Sequence, residues 1–144
     1  MVPLDSRKKR GFNAERELLE NLKDLGFWGA RIPVSGVGQP LPDVIIFHNG
    51  VLFGFEVKST NEDKKVFYKR EFDNLVDWLK GMERENFKAE AWLAVRFKGG
   101  KWRFYRIFTS SDKVKCDPKE GFGIIDLSKE MRNIGRRLNR KFPR

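Results

Sequence analysis

One cysteine and one histidine in a chain of 144 residues leave little of the usual catalytic repertoire available. Cys116 has no partner for an internal disulfide, which suits a reducing cytosol. A Ser-His-Asp triad or a Cys-His nucleophile would have to run through His48 alone, and a structural zinc site of the Cys/His type is excluded. No apolar run approaches the roughly 20 residues needed to cross a bilayer. The basic N-terminus is not followed by the apolar stretch of a signal peptide, so the expectation is a cytoplasmic protein that does not engage a membrane. Any catalysis must come from carboxylates, lysines and hard cations.

Charge and core material are plentiful. The hydrophobic fraction is 40% and aromatics reach 13%, enough for one folded domain spanning residues 1–144. The formal charge is +10, and its distribution matters more than its size. Arg7, Lys8, Lys9 and Arg10 meet only Asp5 within residues 1–10, and residues 131–144 hold Arg132, Arg136, Arg137, Arg140, Lys141 and Arg144 with no acid. The stretch between these tails is nearly balanced. Two basic ends on a neutral centre point to a polyanion such as nucleic acid. Solvated tails that aid solubility are the plain alternative.

No internal repeat or low-complexity linker interrupts the chain. Ala14, Leu18, Leu22 and Leu25 form one stripe at helical spacing over residues 13–25, with Gly26 as a stop. Residues 33–42 are rich in Gly and Pro and read as a loop. Residues 43–47 and 51–58 are β-rich runs around Asn49-Gly50, a strong hairpin signal. Phe72, Leu75, Val76, Leu79 and Met82 define an amphipathic helix, and residues 91–97 and 102–108 form a second hairpin about Gly99-Gly100. A short strand near residues 123–125 and a basic helix from about Ser128 complete the order, which predicts an α/β protein with a small mixed sheet flanked by helices. No aromatic platform for single-stranded nucleic acid is evident.

The first hairpin makes a geometric prediction. With Asn49 and Gly50 at the centre of the turn, His48 opposes Val51 and, counting back along the ladder, Asp43 opposes Glu56. Directly opposed side chains share a face, with Cβ atoms roughly 4.5–5.5 Å apart, and alternation puts Lys58 on the face of Glu56. Two like charges so close destabilise a sheet unless a cation lies between them. Pro42-Asp43, Glu56 and Lys58 thus supply an acidic pair and an ammonium on a rigid platform, the parts needed for cation-assisted phosphodiester hydrolysis. Oxygen ligands favour Mg²⁺, which would activate water and neutralise charge on the scissile phosphate. Lys58 would orient that water or stabilise the developing charge. A lone Glu-x-Lys is common among exposed strand residues; the shared register with Asp43 gives it weight.

Helical phase selects a third carboxylate. At about 100° per residue, Glu15 falls within the arc of Ala14, Leu18, Leu19, Leu22 and Leu25, while Glu17, Glu20 and Asp24 fall on the opposite side. A charge on a buried face must be paired or bind a cation, so Glu15 is preferred and Glu17 rejected. A first-turn acid favoured by the helix dipole is the other role open to Glu15. Arg31 and Ser35, beside Gly36 and Gly38, lie in a stretch leading to Asp43 that would fold over a phosphate or simply connect two elements. Lys64, Lys65, Lys69 and Arg70 follow the second strand, placed to meet either a duplex backbone or solvent.

Taken together, Arg10-Gly11, Ala14-Glu15-Arg16-Glu17-Leu18-Leu19, Gly26-Phe27, Arg31, Ser35-Gly36, Pro42-Asp43 and Glu56-Val57-Lys58-Ser59 resemble the archaeal Holliday junction resolvases, PD-(D/E)xK nucleases also carried by some viruses and phages. The likeness continues through Tyr68 to Trp102-Arg103-Phe104. It is more specific than the Asp…Glu-x-Lys core that many nucleases share. It implies a restriction-endonuclease-like fold, a symmetric homodimer, and paired metal-dependent nicks in opposite strands of four-way DNA junctions. Mg²⁺ is the implied cofactor, with Mn²⁺ as a substitute. Residue by residue, it implies metal-site carboxylates at Glu15, Asp43 and Glu56, a further metal ligand in the Val57 carbonyl, and a catalytic lysine at Lys58. Arg31 and Ser35 match positions that support cleavage and junction binding.

The DNA contacts expected are Arg7, Lys8, Lys9 and Arg10, then Arg31, Ser35, Lys64, Lys65, Lys69 and Arg70. The implied location is the cytoplasm of an archaeon or of the host of a virus or phage. The basic end, Arg132 onward, matches no family motif, and residues 36–41 and 110–121 are poorly anchored. Two other readings remain: a restriction-like, flap or mismatch nuclease on the same fold, and a basic DNA-binding module that does not cut.

Overall fold

The structure is a computed structural model that describes the backbone of residues 3–33 and 39–141 and the side chains of residues 13–33 and 39–134. The described helices are α1 (Pro3–Asp24), α2 (Asp73–Arg84) and α3 (Ile124–Lys141). The strands are β1 (Trp28–Arg31), β2 (Val44–His48), β3 (Val51–Ser59), β4 (Lys65–Tyr68), β5 (Ala89–Phe97), β6 (Lys101–Ile107) and β7 (Lys113–Cys116). The expected α/β class with a mixed sheet is what forms. Helix α1 starts ten residues before the apolar stripe because Lys and Arg are good helix formers that need no stripe to propagate.

Five strands form the central sheet in the order β1-β2-β3-β5-β6, antiparallel except for the β3–β5 pair. A parallel pair requires a crossover, and α2 lies in that connection. On one face Val44, Ile46, Phe53, Phe55 and Phe104 pack against Leu18 and Leu22 of α1 and Leu127 and Met131 of α3. On the other, Leu93, Val95 and Ile107 pack against Leu75, Val76 and Trp78 of α2. Gly54 makes the second layer fit, since a Cβ there would lie 2.5 Å from the Trp78 ring. Strands β4 and β7 pair as a separate ribbon that adds Phe67 and Cys116 to the α2 side.

The first hairpin has the expected register, His48↔Val51 through Val44↔Phe55. Asn49 and Gly50 both take positive φ, 50° and 79°, as a two-residue turn requires. Three expectations need correction. Residues 123–125 form no strand: Phe122 makes a single bridge to Phe104, and the Leu127 N–H donates to the Gly123 carbonyl, starting α3 so that Leu127, Met131 and Ile134 reach the core. An unexpected edge strand, β1, precedes the loop; at four residues it is too short to show a period, and Gly29 lets it approach Ile45, whose carbonyl oxygen would collide with a Cβ. An exposed aromatic pair does exist: Trp28, 70% exposed, lies against Phe47 with ring centroids 5.2 Å apart. Among the described residues no helix is long and apolar enough to cross a membrane.

Candidate active site

The ladder between β2 and β3 ends at Val44↔Phe55, and Asp43 lies just beyond that pair. Its N–H donates to the Phe55 carbonyl at 2.9 Å, and its carbonyl accepts from the Ile32 N–H at 2.8 Å. Asp43 is thus pinned from both sides where β1 and β2 finish. Its Oδ2 accepts a 2.8 Å hydrogen bond from the Val57 N–H. The N–H and C=O of a strand residue lie on the same side of the strand, so the Val57 carbonyl faces the same gap.

Glu56 and Lys58 follow on β3, with Lys58 Nζ 3.6 Å from Glu56 Oε1. Alternation turns Glu56 and Lys58 to the α2 side of the sheet, in phase with Leu52. Helix α1 covers the other side, so Glu15 reaches the group only around the end of the sheet, where Arg31 Nε stands 3.9 Å from its Oε2. Burial and then the Asp43 carboxylate raise Glu56 to about 8, against the lowering effect of Lys58. The same two causes raise Glu15 to about 7, against Arg31. Asp43 is the charge that both glutamates feel.

This donor set suits a hard cation: it offers only oxygen, and burial and the Asp43 charge make Glu15 and Glu56 hold protons more tightly than ordinary glutamates. Among the described residues no three His, Cys, Asp or Glu side chains close into a metal cage. The fit is to Asp43, Glu56 and the Val57 carbonyl, with Glu15 alongside.

Other expected residues are spread more widely. Ser35, with Gly36 and Gly38, lies outside the described residues, as do the side chains of Arg7, Lys8, Lys9 and Arg10. Lys64 Nζ is 3.5 Å from Asp117 and Lys65 Nζ 3.4 Å from Glu62, while the Arg70 guanidinium sits 5.7 Å from the Tyr68 ring centre and the Lys69 N–H donates to the Asp112 carbonyl. Exposed ion pairs are worth about 1 kcal/mol or less, too little to withhold these lysines from a DNA backbone.

Two residues behave differently from their sequence reading. Glu17 is not turned to solvent: its carboxylate accepts from Arg96 Nη1 at 2.6 Å and Trp102 Nε1 at 3.2 Å. The buried stripe of α1 is centred on Ala14, Leu18 and Leu22, which leaves Glu15 and Glu17 on its two flanks, both within reach of the sheet. Arg96 and Trp102 are register partners, a pairing that helix phase alone cannot reveal. Arg132, counted with the basic tail, lies 4.6 Å over the Phe27 ring and donates to the Leu25 carbonyl, so it serves the fold.

Comparison with known proteins gives the family of the chain. A family model described as archaeal Holliday junction resolvase (Hjc) matches residues 6–135. The chain is 33% identical over 101 residues to crossover junction endodeoxyribonuclease Hjc of Archaeoglobus fulgidus, covering 69% of this chain and 71% of that protein. It is 36% identical over 99 residues to crossover junction endodeoxyribonuclease Hje of Sulfolobus acidocaldarius, covering 67% and 69%. The solved structure of Archaeoglobus fulgidus Hjc, a Holliday junction resolvase, superposes with a TM-score of 0.65 at 28% identity over 81% of this chain and 96% of that one.

Proposed function

Since the chain belongs to the archaeal Holliday junction resolvase family and is an endonuclease of that kind, we propose that its active site is the strand end formed by Asp43, Glu56, Lys58 and the Val57 carbonyl, with Glu15 and Arg31 beside it. Contacts of Asp43 support this most: its N–H bonds the Phe55 carbonyl just beyond the last β2–β3 pair, its carboxylate accepts from the Val57 N–H, and both glutamates respond to its charge. Mg²⁺, with Mn²⁺ as a substitute, is the proposed cofactor, held by Asp43, Glu56 and the Val57 carbonyl, with Glu15 as the third carboxylate. When bound it supplies charge neutralisation and a more acidic water.

The remaining work falls to the chain itself. The Val57 N–H fixes the orientation of the Asp43 carboxylate before substrate arrives. Lys58, held beside Glu56, stabilises negative charge developing on the scissile phosphate. Arg31 and Ser35, with Arg7, Lys8, Lys9, Arg10, Lys64, Lys65, Lys69 and Arg70, contact the DNA backbone. A two-fold homodimer acting in the cytoplasm would present two such sites to opposite strands of a junction that is itself nearly two-fold symmetric. The test is nicking of a fixed synthetic four-way junction and a matched linear duplex, each with Mg²⁺ and with EDTA. Paired, Mg²⁺-dependent nicks confined to the junction are expected; equal cutting of both substrates, or cutting in EDTA, would overturn the reading.

A further inference from the structure

The active strand does not stop at Lys58. Beyond it, Ser59, Thr60 and Asn61 form one wall of an open groove of about 310 Å³, whose other wall is the β5–β6 turn, Lys98-Gly99-Gly100. The two walls are joined by backbone: Ser59 pairs with Arg96, and the Thr60 N–H donates to the Arg96 carbonyl at 3.0 Å. From Lys58 to Asn61 the chain reaches at most about 10 Å. A duplex strand carries a phosphate for each 3.4 Å or so of helix axis, so the groove lies within a few phosphates of the proposed site.

Its chemistry is that of an anion path. The residues lining it include Lys98, two hydroxyls, an amide and Arg96, whose guanidinium is already paired with Glu17, and no acid. Thr60 Oγ1 accepts from the Glu62 N–H, an arrangement that keeps the hydroxyl proton for a further acceptor. Gly99 and Gly100 take φ of 84° and 78°, and a Cβ at either would meet nothing within 4 Å. Bare backbone of this sort allows close approach by a phosphate. The groove on the other side of the same turn differs: Glu62, Asp63 and Asp117 stand there among its lysines, so its charge is largely answered within the protein.

We propose that the groove between Ser59–Asn61 and the Lys98-Gly99-Gly100 turn binds the phosphate backbone of the DNA strand as it leaves the active site. The inference rests on the nuclease reading above but concerns binding, and it can fail separately. The experiment measures affinity of the full-length protein for a four-way junction in EDTA at several salt concentrations. The K98Q variant is compared with K101Q, a lysine of the same turn that lines only the neighbouring groove, and with K80Q, which removes the same charge from an exposed position on α2. K98Q should lower the slope of log affinity against log salt by about one, for the phosphate left without its lysine. It should bind several-fold more weakly at about 0.1 M salt, whereas K101Q and K80Q should keep their slopes close to wild type. T60V should also weaken binding but without changing the slope, because it removes a hydroxyl and no charge. Equal losses from K98Q, K101Q and K80Q would reduce the effect to net charge and overturn the groove while leaving the nuclease intact. Unchanged binding by K98Q and T60V likewise overturns the groove, whatever the cleavage assay in Mg²⁺ shows.

Discussion

The two ends of the β2–β3 ladder are built from the same pair of strands and obey opposite rules. At the turn end every group is settled. Phe27 meets His48 edge-on at 5.0 Å, Trp28 packs on Phe47, and burial together with Arg132 lowers the histidine so that its ring favours neutrality. At the other end the Asp43 charge acts on Glu15 and Glu56, and cations at 3.9 Å and 3.6 Å do not offset the burial and repulsion that raise the two glutamates. Apolar residues of similar size would pack there at lower cost. Charge that a fold keeps against its own stability marks a candidate ligand site.

Removing one of those charges should therefore separate activity from stability. Glu56→Gln is expected to slow single-turnover junction cleavage at least about 100-fold, the scale of losing an electrostatic stabiliser, while the thermal midpoint holds or rises. A variant that cuts at the wild-type rate, or that melts well below it, would erase the distinction between the two ends.

Acidity gives a smaller effect with a definite sign. Glu15 titrates at about 7 and Glu56 at about 8, both above the 4.5 of an ordinary glutamate. Between those limits the folded protein holds protons that the unfolded chain has released. Without divalent cation, the stability these groups contribute is fully present below about 4.5 and is lost as pH rises through 7 to 8. Cation binding must displace the same protons, so the half-saturating Mg²⁺ concentration should fall with rising pH, by up to about tenfold per unit for one displaced proton, and level off above about 8. Thermal shift with and without Mg²⁺ across that range measures both trends. A pH-independent Mg²⁺ affinity would mean that the raised carboxyls are not the ligands.

Local signals carried the strand end and failed wherever distant segments meet. Asn49-Gly50 sets the register down to Val44↔Phe55, which brings Asp43 to the strand end that carries Glu56, and alternation puts Lys58 on the face of Glu56. The stripe of Ala14, Leu18 and Leu22 located α1, but the phase argument could not show that the flank bearing Glu17 would find Arg96 and Trp102, some eighty residues away in sequence and adjacent only because β5 and β6 pair. Strands β4 and β7 escaped notice because each is four residues long and gains its partner only through the fold. The helical role of residues 123–125 was hidden by Gly123, whose conformational permissiveness reads as turn or bulge until α3 docks.

The turn end offers the finest test of the contrast. Asn49 sits at φ 50°, a conformation that Asn tolerates and Ala adopts at a cost. Its Nδ2 lies 3.3 Å from His48 Nε2, an exposed contact that adds little. Asn49→Ala should destabilise the fold by about 1 kcal/mol, a fall of a few degrees in the thermal midpoint for a chain of this size. Five strand residues, Val51 to Phe55, separate this turn from Glu56, which lies about 20 Å along the strand from Gly50, and the core between them is closed: Phe53 and Phe55 are fully buried. Cleavage rate and half-saturating Mg²⁺ at a temperature well below the transition should therefore match wild type. Loss of Mg²⁺ affinity in step with stability would show that the ladder transmits strain along its length, so that the raised carboxyls depend on a well-formed turn as well as on their own neighbours.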